Sequence, residues 1–144
     1  MGQQTSQQTS QAMPETIRAW HAIAEARKPD GLDALLADDV VFVSPVVHTP
    51  QVGKAITKAY LTAALNVLNN GHFHYRGAWY AERSAVLEFE TTVEGVVING
   101  IDMIGWNEAG RIDHFKVMVR PLKAINLLHQ LMGAMLQKLA AAKA

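Results

Sequence analysis

Hydrophobic and polar positions divide the chain into two regimes of periodicity. From Pro14 onward apolar residues recur at helical spacing, with Ile17, Trp20 and Ala24 on one stripe and a proline suited to a first turn. The spacing predicts a helix that ends near Lys28-Pro29. A second short helix over DGLDALLA leads into DDVVFVSP, whose Val and Phe run, bounded by acids and a proline, reads as a strand. GKAITKAYLTAALNVLNNG then carries Ile56, Tyr60, Ala63 and Val67 on one stripe and closes on Asn70-Gly71, a helix C-terminus. After Gly71 the period changes. HFHYRGAWY, RSAVLEFETTV, VVINGIDMIGW and RIDHFKVMVRP are consecutive strand candidates, the last pair joined by Asn107-Glu108-Ala109-Gly110, a hairpin turn with glycine at its end. Strands in a row with short turns pair antiparallel. Pro121 stops the ladder, and residues 122–141 follow as an amphipathic helix with Leu122, Ile125, Leu128, Met132, Met135 and Leu139 inward. The predicted class is α+β, with helices packed on one face of a curved antiparallel sheet, in a single domain over residues 14–144.

The first residues lack this patterning. MGQQTSQQTSQA repeats a polar QQTS unit with almost nothing to bury, so residues 1–13 read as a disordered tail. A chain of 144 residues is the size of one ordinary domain. Its 13 lysines and arginines balance 13 acids, which leaves no global field to draw nucleic acid or an anionic membrane surface. Cysteine is absent, which excludes disulfides, thiolate metal sites and thiol nucleophiles. With no apolar run of membrane-span length and no basic and apolar leader, the expectation is a cytoplasmic protein with no membrane partner.

One residue disturbs the pattern. In GIDMIGWNEAGRIDHFKVMVRP, Asp102 lies among Ile101, Met103, Ile104 and Trp106, so apolar residues occupy both strand parities around it. A buried carboxylate without a partner is costly and usually neutralises or finds one. Two readings are open: an acid satisfied by the backbone or by water at a bulge, and a raised-pKa carboxylic acid that donates a hydrogen bond to a ligand oxygen.

The order of elements, with DGLDALLADD near the start and GIDMIGWNEAGRI near the end, resembles the cone-shaped, cystatin-like fold of nuclear transport factor 2, ketosteroid isomerase and the SnoaL-like polyketide cyclases over roughly residues 14 to 121. The resemblance specifies a fold better than a reaction, since such a family holds isomerases, cyclases, hydrolases, dehydratases and non-catalytic modules. It places Asp102 at the oxyanion-hole acid of the isomerase. It places Trp20 where the isomerase has its hydroxyl donor and Ser44 where it has its proton-transferring aspartate, and both depart from that pattern. A serine hydroxyl cannot take a proton near neutral pH without a stronger base, so steroid-type allylic proton transfer by the same arrangement is not expected. The implied cavity walls are Phe42, Leu87, Phe89, Phe115, Val117 and Val119, with Trp20 and Ser44 beside them and Asp102 deep inside. Apolar walls with one or two polar groups describe a small-molecule pocket, and the same residues describe a packed core. The resemblance also implies a homodimer through the outer sheet face, where Glu88, Glu90, His114, Lys116 and Met118 share the parity opposite the pocket.

Tyr60 is a second candidate donor, or a packing aromatic with its hydroxyl at the rim. His48, in SPVVHTP after the first strand, is the candidate general base near the cavity mouth, or an exposed loop histidine. His72 and His74 share a strand face without a third ligand, so no metal site is assigned, and no phosphate-binding glycine loop or other cofactor motif is present. The C-terminal helix is expected to be either a lid over the open end of the cone or a dimer arm. Two classes of function remain: a cofactor-independent isomerase, cyclase or lyase built on Asp102, Tyr60 and His48, and a binding module for a hydrophobic metabolite.

Overall fold

The structure is a computed structural model and describes residues 12–143. Most of the expected polar tail, residues 1–11, lies outside the described residues, while Met13 already packs against the core. Helix α1 (Glu15–Ala26) buries Thr16, Ile17, Trp20, Ile23 and Ala24 and ends where Arg27 turns left-handed, just before Lys28-Pro29. Helix α2 is a single turn (Leu32–Leu35), shorter than DGLDALLA. Strand β1 (Leu36–Val43) begins earlier than expected, because Leu36 already pairs with Ile112 of the last strand. A two-residue strand β2 (Gln51–Val52), too short for its sequence to show alternation, pairs with β1. Helix α3 (Lys54–Leu68) precedes β3 (His74–Tyr80), β4 (Ser84–Val93), β5 (Val96–Trp106) and β6 (Ile112–Arg120), and α4 (Leu122–Lys143) closes the chain.

The six strands form one curved, open sheet in the order β2-β1-β6-β5-β4-β3. Strands β3 to β6 pair antiparallel, as short connections require. The β1·β6 pairing is parallel. No hairpin joins these two strands, and the chain reaches β6 from β1 only after α3 and four further strands, so local turn geometry does not set their direction.

Two apolar clusters fill the concave side. The first joins α1, α2, β1 and the near halves of β4, β5 and β6, with Ile17, Leu32, Leu36, Val40, Leu87 and Ile112 fully buried. Thr16 ties α1 to the β5–β6 turn by donating its hydroxyl to the Gly110 carbonyl, 2.8 Å away. The second joins α3, α4 and the far ends of β4 and β5 through Ala63, Val67, Leu68, Phe89, Ile98, Ala124, Leu128 and Met132. The buried stripe of α4 is therefore Ala124, Leu128 and Met132, with Met135 and Leu139 packed beside it; Leu122, expected inward, is 71% exposed because, two positions from the buried Ala124, it faces away from that stripe. Tyr60, Tyr75 and Val117 pack against both clusters.

Candidate functional site

Burial along β5 alternates strictly from Ile98 to Trp106, so Asp102 shares the inward parity of Ile98, Ile104 and Trp106. Ile101 and Met103 occupy the outer face and are half-buried. The sheet register sets Leu87 and Val117 on either side of Asp102, and Asp102 is 6% exposed. Its Oδ2 accepts a hydrogen bond from the Tyr75 hydroxyl at 2.7 Å, and the Tyr75 oxygen in turn accepts one from Trp20 Nε1–H at 2.9 Å. The chain runs Trp20 to Tyr75 to Asp102. The Tyr75 hydroxyl thus uses its one donor and an acceptor site, and Oδ1 of Asp102 makes no hydrogen bond among the described residues.

Burial dominates the chemistry of this pair. Removal from water pushes the Asp102 carboxyl up from 3.8 to about 7, and the Tyr75 hydrogen bond opposes that rise. Burial, with the neighbouring carboxylate, drives the Tyr75 hydroxyl well above the ordinary tyrosine value, so Tyr75 holds its proton and serves as a donor.

Asp102 opens onto a cavity of about 250 Å³ between the two clusters. Trp20, Phe42 and Phe115 wall it from the first cluster; Leu68, Phe89, Leu128 and Met132 wall it from the second. Trp20 meets Phe115 edge-on at 5.0 Å, and Phe42 packs on Tyr60 at 5.3 Å. Gly100 makes room for Phe89: a Cβ there would lie 2.5 Å from Phe89 Cζ and 2.6 Å from the Met118 carbonyl oxygen. At one side Asn69 donates to the Ala24 carbonyl, and Phe73 stacks on Phe89 at 5.4 Å and meets Tyr75 edge-on at 5.1 Å. Of the residues that line the cavity, His129 and Gly133, one helical turn apart on α4, are exposed and mark where it reaches solvent.

The structure gathers Asp102, Tyr60, Trp20, Phe42, Ser44, Phe89, Phe115 and Val117 around this space. Leu87 and Val119 do not line it. Leu87 is sealed in the first cluster, and Val119 packs against the second, under α4. Nor does His48: the loop turns Ser44, Pro45, Val46 and Val47 toward the cavity and leaves His48 exposed beyond them. The imidazole on the lining is His129, which α4 brings to the mouth. Ser44 Oγ accepts the Val46 N–H at 3.1 Å, which ties it to its own turn. Tyr60 makes a ring contact, and the hydroxyl on Asp102 comes from Tyr75. HFHYRGAWY held a signal for this residue: if His72 and His74 face water, as both do, then Phe73 and Tyr75 face inward. His74 Nδ1 lies 3.1 Å from the His72 carbonyl.

Residues 17–115 match the SnoaL-like domain. This chain belongs to the SnoaL-like family. A steroid delta-isomerase from Pseudomonas aeruginosa is similar at 37% identity, with a TM-score of 0.83 over 88% of this chain and 92% of that one. An uncharacterised bacterial protein with a cystatin-like fold from Silicibacter pomeroyi DSS-3 is similar at 31% identity, with a TM-score of 0.79 over 86% of each chain. A de novo designed protein with a curved β-sheet shares the fold alone, at 11% identity and a TM-score of 0.67 over 87% of this SnoaL-like chain and 97% of the design. No curated protein matches. Among the described residues no helix is long and apolar enough to cross a membrane.

Proposed function

We propose that this SnoaL-like protein is a cofactor-independent isomerase, cyclase or lyase that binds a hydrophobic small molecule and transfers a proton through Asp102. The observation that carries this reading is the hydrogen-bond chain from Trp20 through Tyr75 to Asp102, which ends in an apolar cavity. A carboxyl held near 7 exists in both protonation states at neutral pH, the condition in which one group both gives and takes a proton efficiently. In its protonated form Asp102 presents Oδ1–H to a substrate carbonyl oxygen, while Tyr75 steadies Oδ2. Charge that develops on that oxygen as an adjacent C–H bond breaks is met by a donor already in place. The departing proton goes to the His129 imidazole at the mouth, directly or relayed by a water. The similar steroid delta-isomerase supports an isomerisation as the reaction type. Ser44 facing the cavity argues against the ketosteroid isomerase arrangement of acid and base.

Deuterium incorporation tests the reading. Wild-type protein in D₂O should speed exchange of the α-protons of a cyclic enone, and Asp102→Asn should lower that rate by roughly 100-fold or more. Binding without exchange would support the second reading, a binding module, which the absence of a carboxylate base at Ser44 favours.

We further propose that the outer sheet face, where Trp79, Val97 and Met118 are exposed, pairs with a second copy. Light scattering at micromolar concentration should give twice the chain mass; a monomer would refute it.

A further inference from the structure

We infer that the ligand is a compact, uncharged carbonyl compound of one or two rings, seated with its oxygen on Asp102. This inference rests on the proton-transfer reading and adds the substrate class. Size comes first. Pockets for drug-sized ligands span roughly 300–1,000 Å³, and an apolar cavity of about 150 Å³ accommodates benzene. At about 250 Å³ this cavity falls between them, a size that suits one or two rings better than four fused ones. The wall toward the groove lined by Arg18, His21 and Glu25 is stitched shut, since Asn69 is bonded to the Ala24 carbonyl and Phe73 is held between Phe89 and Tyr75. A longer molecule would have to break that wall or protrude past His129 and Gly133.

Charge comes second. No lysine, arginine or glutamate lines the cavity among the described residues, so nothing there compensates a carboxylate or phosphate on the ligand. Tyr75 on β3 is bonded to Asp102 and Trp20 on α1 to Tyr75, and the other titratable groups that share the cavity lining are Tyr60 on α3 and His129 on α4. An anion would be set against Asp102 in apolar surroundings. An ammonium ion would suit the ionised acid, and it would then bind more tightly as pH rises. A ketone needs the protonated acid and shows the opposite trend.

Calorimetric titration of the full chain with a bicyclic ketone, a four-ring steroid enone and cyclohexylamine, at pH 6 and pH 8, separates these cases. Apparent affinity follows the fraction of protein in the competent protonation state, so an acid titrating at about 7 gives the ketone about tenfold tighter binding at pH 6 than at pH 8. The ketone should also bind at least about tenfold tighter than the steroid, a difference of roughly 1.4 kcal/mol. Asp102→Asn should retain ketone binding through its amide N–H and lose the pH dependence. Tyr75→Phe, which leaves the acid in place, should move the pH dependence upward. A steroid that binds as well as the ketone, with the same dependence on Asp102, overturns the size limit and leaves the proton-transfer reading standing. Tighter binding of the amine at pH 8 than of the ketone at pH 6 overturns the uncharged class. If neither the ketone nor the steroid binds with a pH dependence that Asp102→Asn abolishes, the inference and the reading beneath it are overturned.

Discussion

The packing beneath α1 and the packing beneath α4 use the same residue types and close differently. Under α1 the cluster is sealed: Ile17, Leu32, Leu36 and Ile112 are fully buried, and Trp20 is fixed both by Phe115 and by its bond to Tyr75. Under α4 the cavity-facing side is Leu128, Met132 and Leu136 with an exposed His129 and Gly133 between them. Methionine is flexible, and a glycine inside a helix adds no side chain to fill space. One wall therefore holds the chemistry in place and the other leaves the opening. The cavity lies where the two clusters meet incompletely, and its polar group is secured there by Tyr75, which packs against both clusters and is itself bonded to Trp20 on α1.

The largest effect should come from breaking the sealed side. Ile17→Ala should cost roughly 3–5 kcal/mol in urea denaturation, because its neighbours are held by β-strands and cannot collapse into the hole. Asp102→Asn should act next and with opposite sign. The folded chain binds the Asp102 proton more tightly than the unfolded chain does, so wild-type stability falls as pH rises from about 4 to about 7 and levels off above that. Taking the carboxyl from 3.8 to about 7 corresponds to on the order of 4 kcal/mol across that window. Asp102→Asn should flatten the profile and make the variant the more stable protein at pH 8; denaturation curves at pH 5 and pH 8 decide it.

Tyr75→Phe should cost about 1–2 kcal/mol, since Trp20 Nε1–H loses its acceptor. It should also raise the Asp102 pKa further, because the lost bond favoured the ionised form; carboxyl-carbon NMR titration reads this directly, and an unchanged value would remove Tyr75 from the site. Met132→Ala should be the mildest, about 1–2 kcal/mol or less, because it enlarges a space that is already open. A loss as large as that of Ile17→Ala would erase the contrast between the two sides.

Much of the fold was legible in the residues. The alternation of VVINGIDMIGW located β5 and the inward acid, and the helical stripes located α1, α3 and α4 to within a few residues. Asp102 was legible for the same reason: a carboxylate on an apolar strand needs a partner wherever that strand packs. Its partner was not. Tyr75 and Asp102 stand 27 positions apart and meet only through the β3-β4-β5 register, which no local spacing expresses. Tyr60 had the more regular inward stripe and drew the assignment, yet the helix carries its ring onto Phe42.

Sequence alone determined the single α+β layer arrangement, the curved run of paired strands and a costly acid on an inward face, because each depends on periodicities of two and 3.6 that neighbouring residues set among themselves. Tertiary structure decided which hydroxyl reaches Asp102, that Leu87, Val119 and His48 stand outside the cavity lining while His129 reaches it, and that β1 runs parallel to β6. These depend on contacts between residues distant along the chain, where direction and depth follow from how two clusters close on one sheet and not from any spacing within a segment.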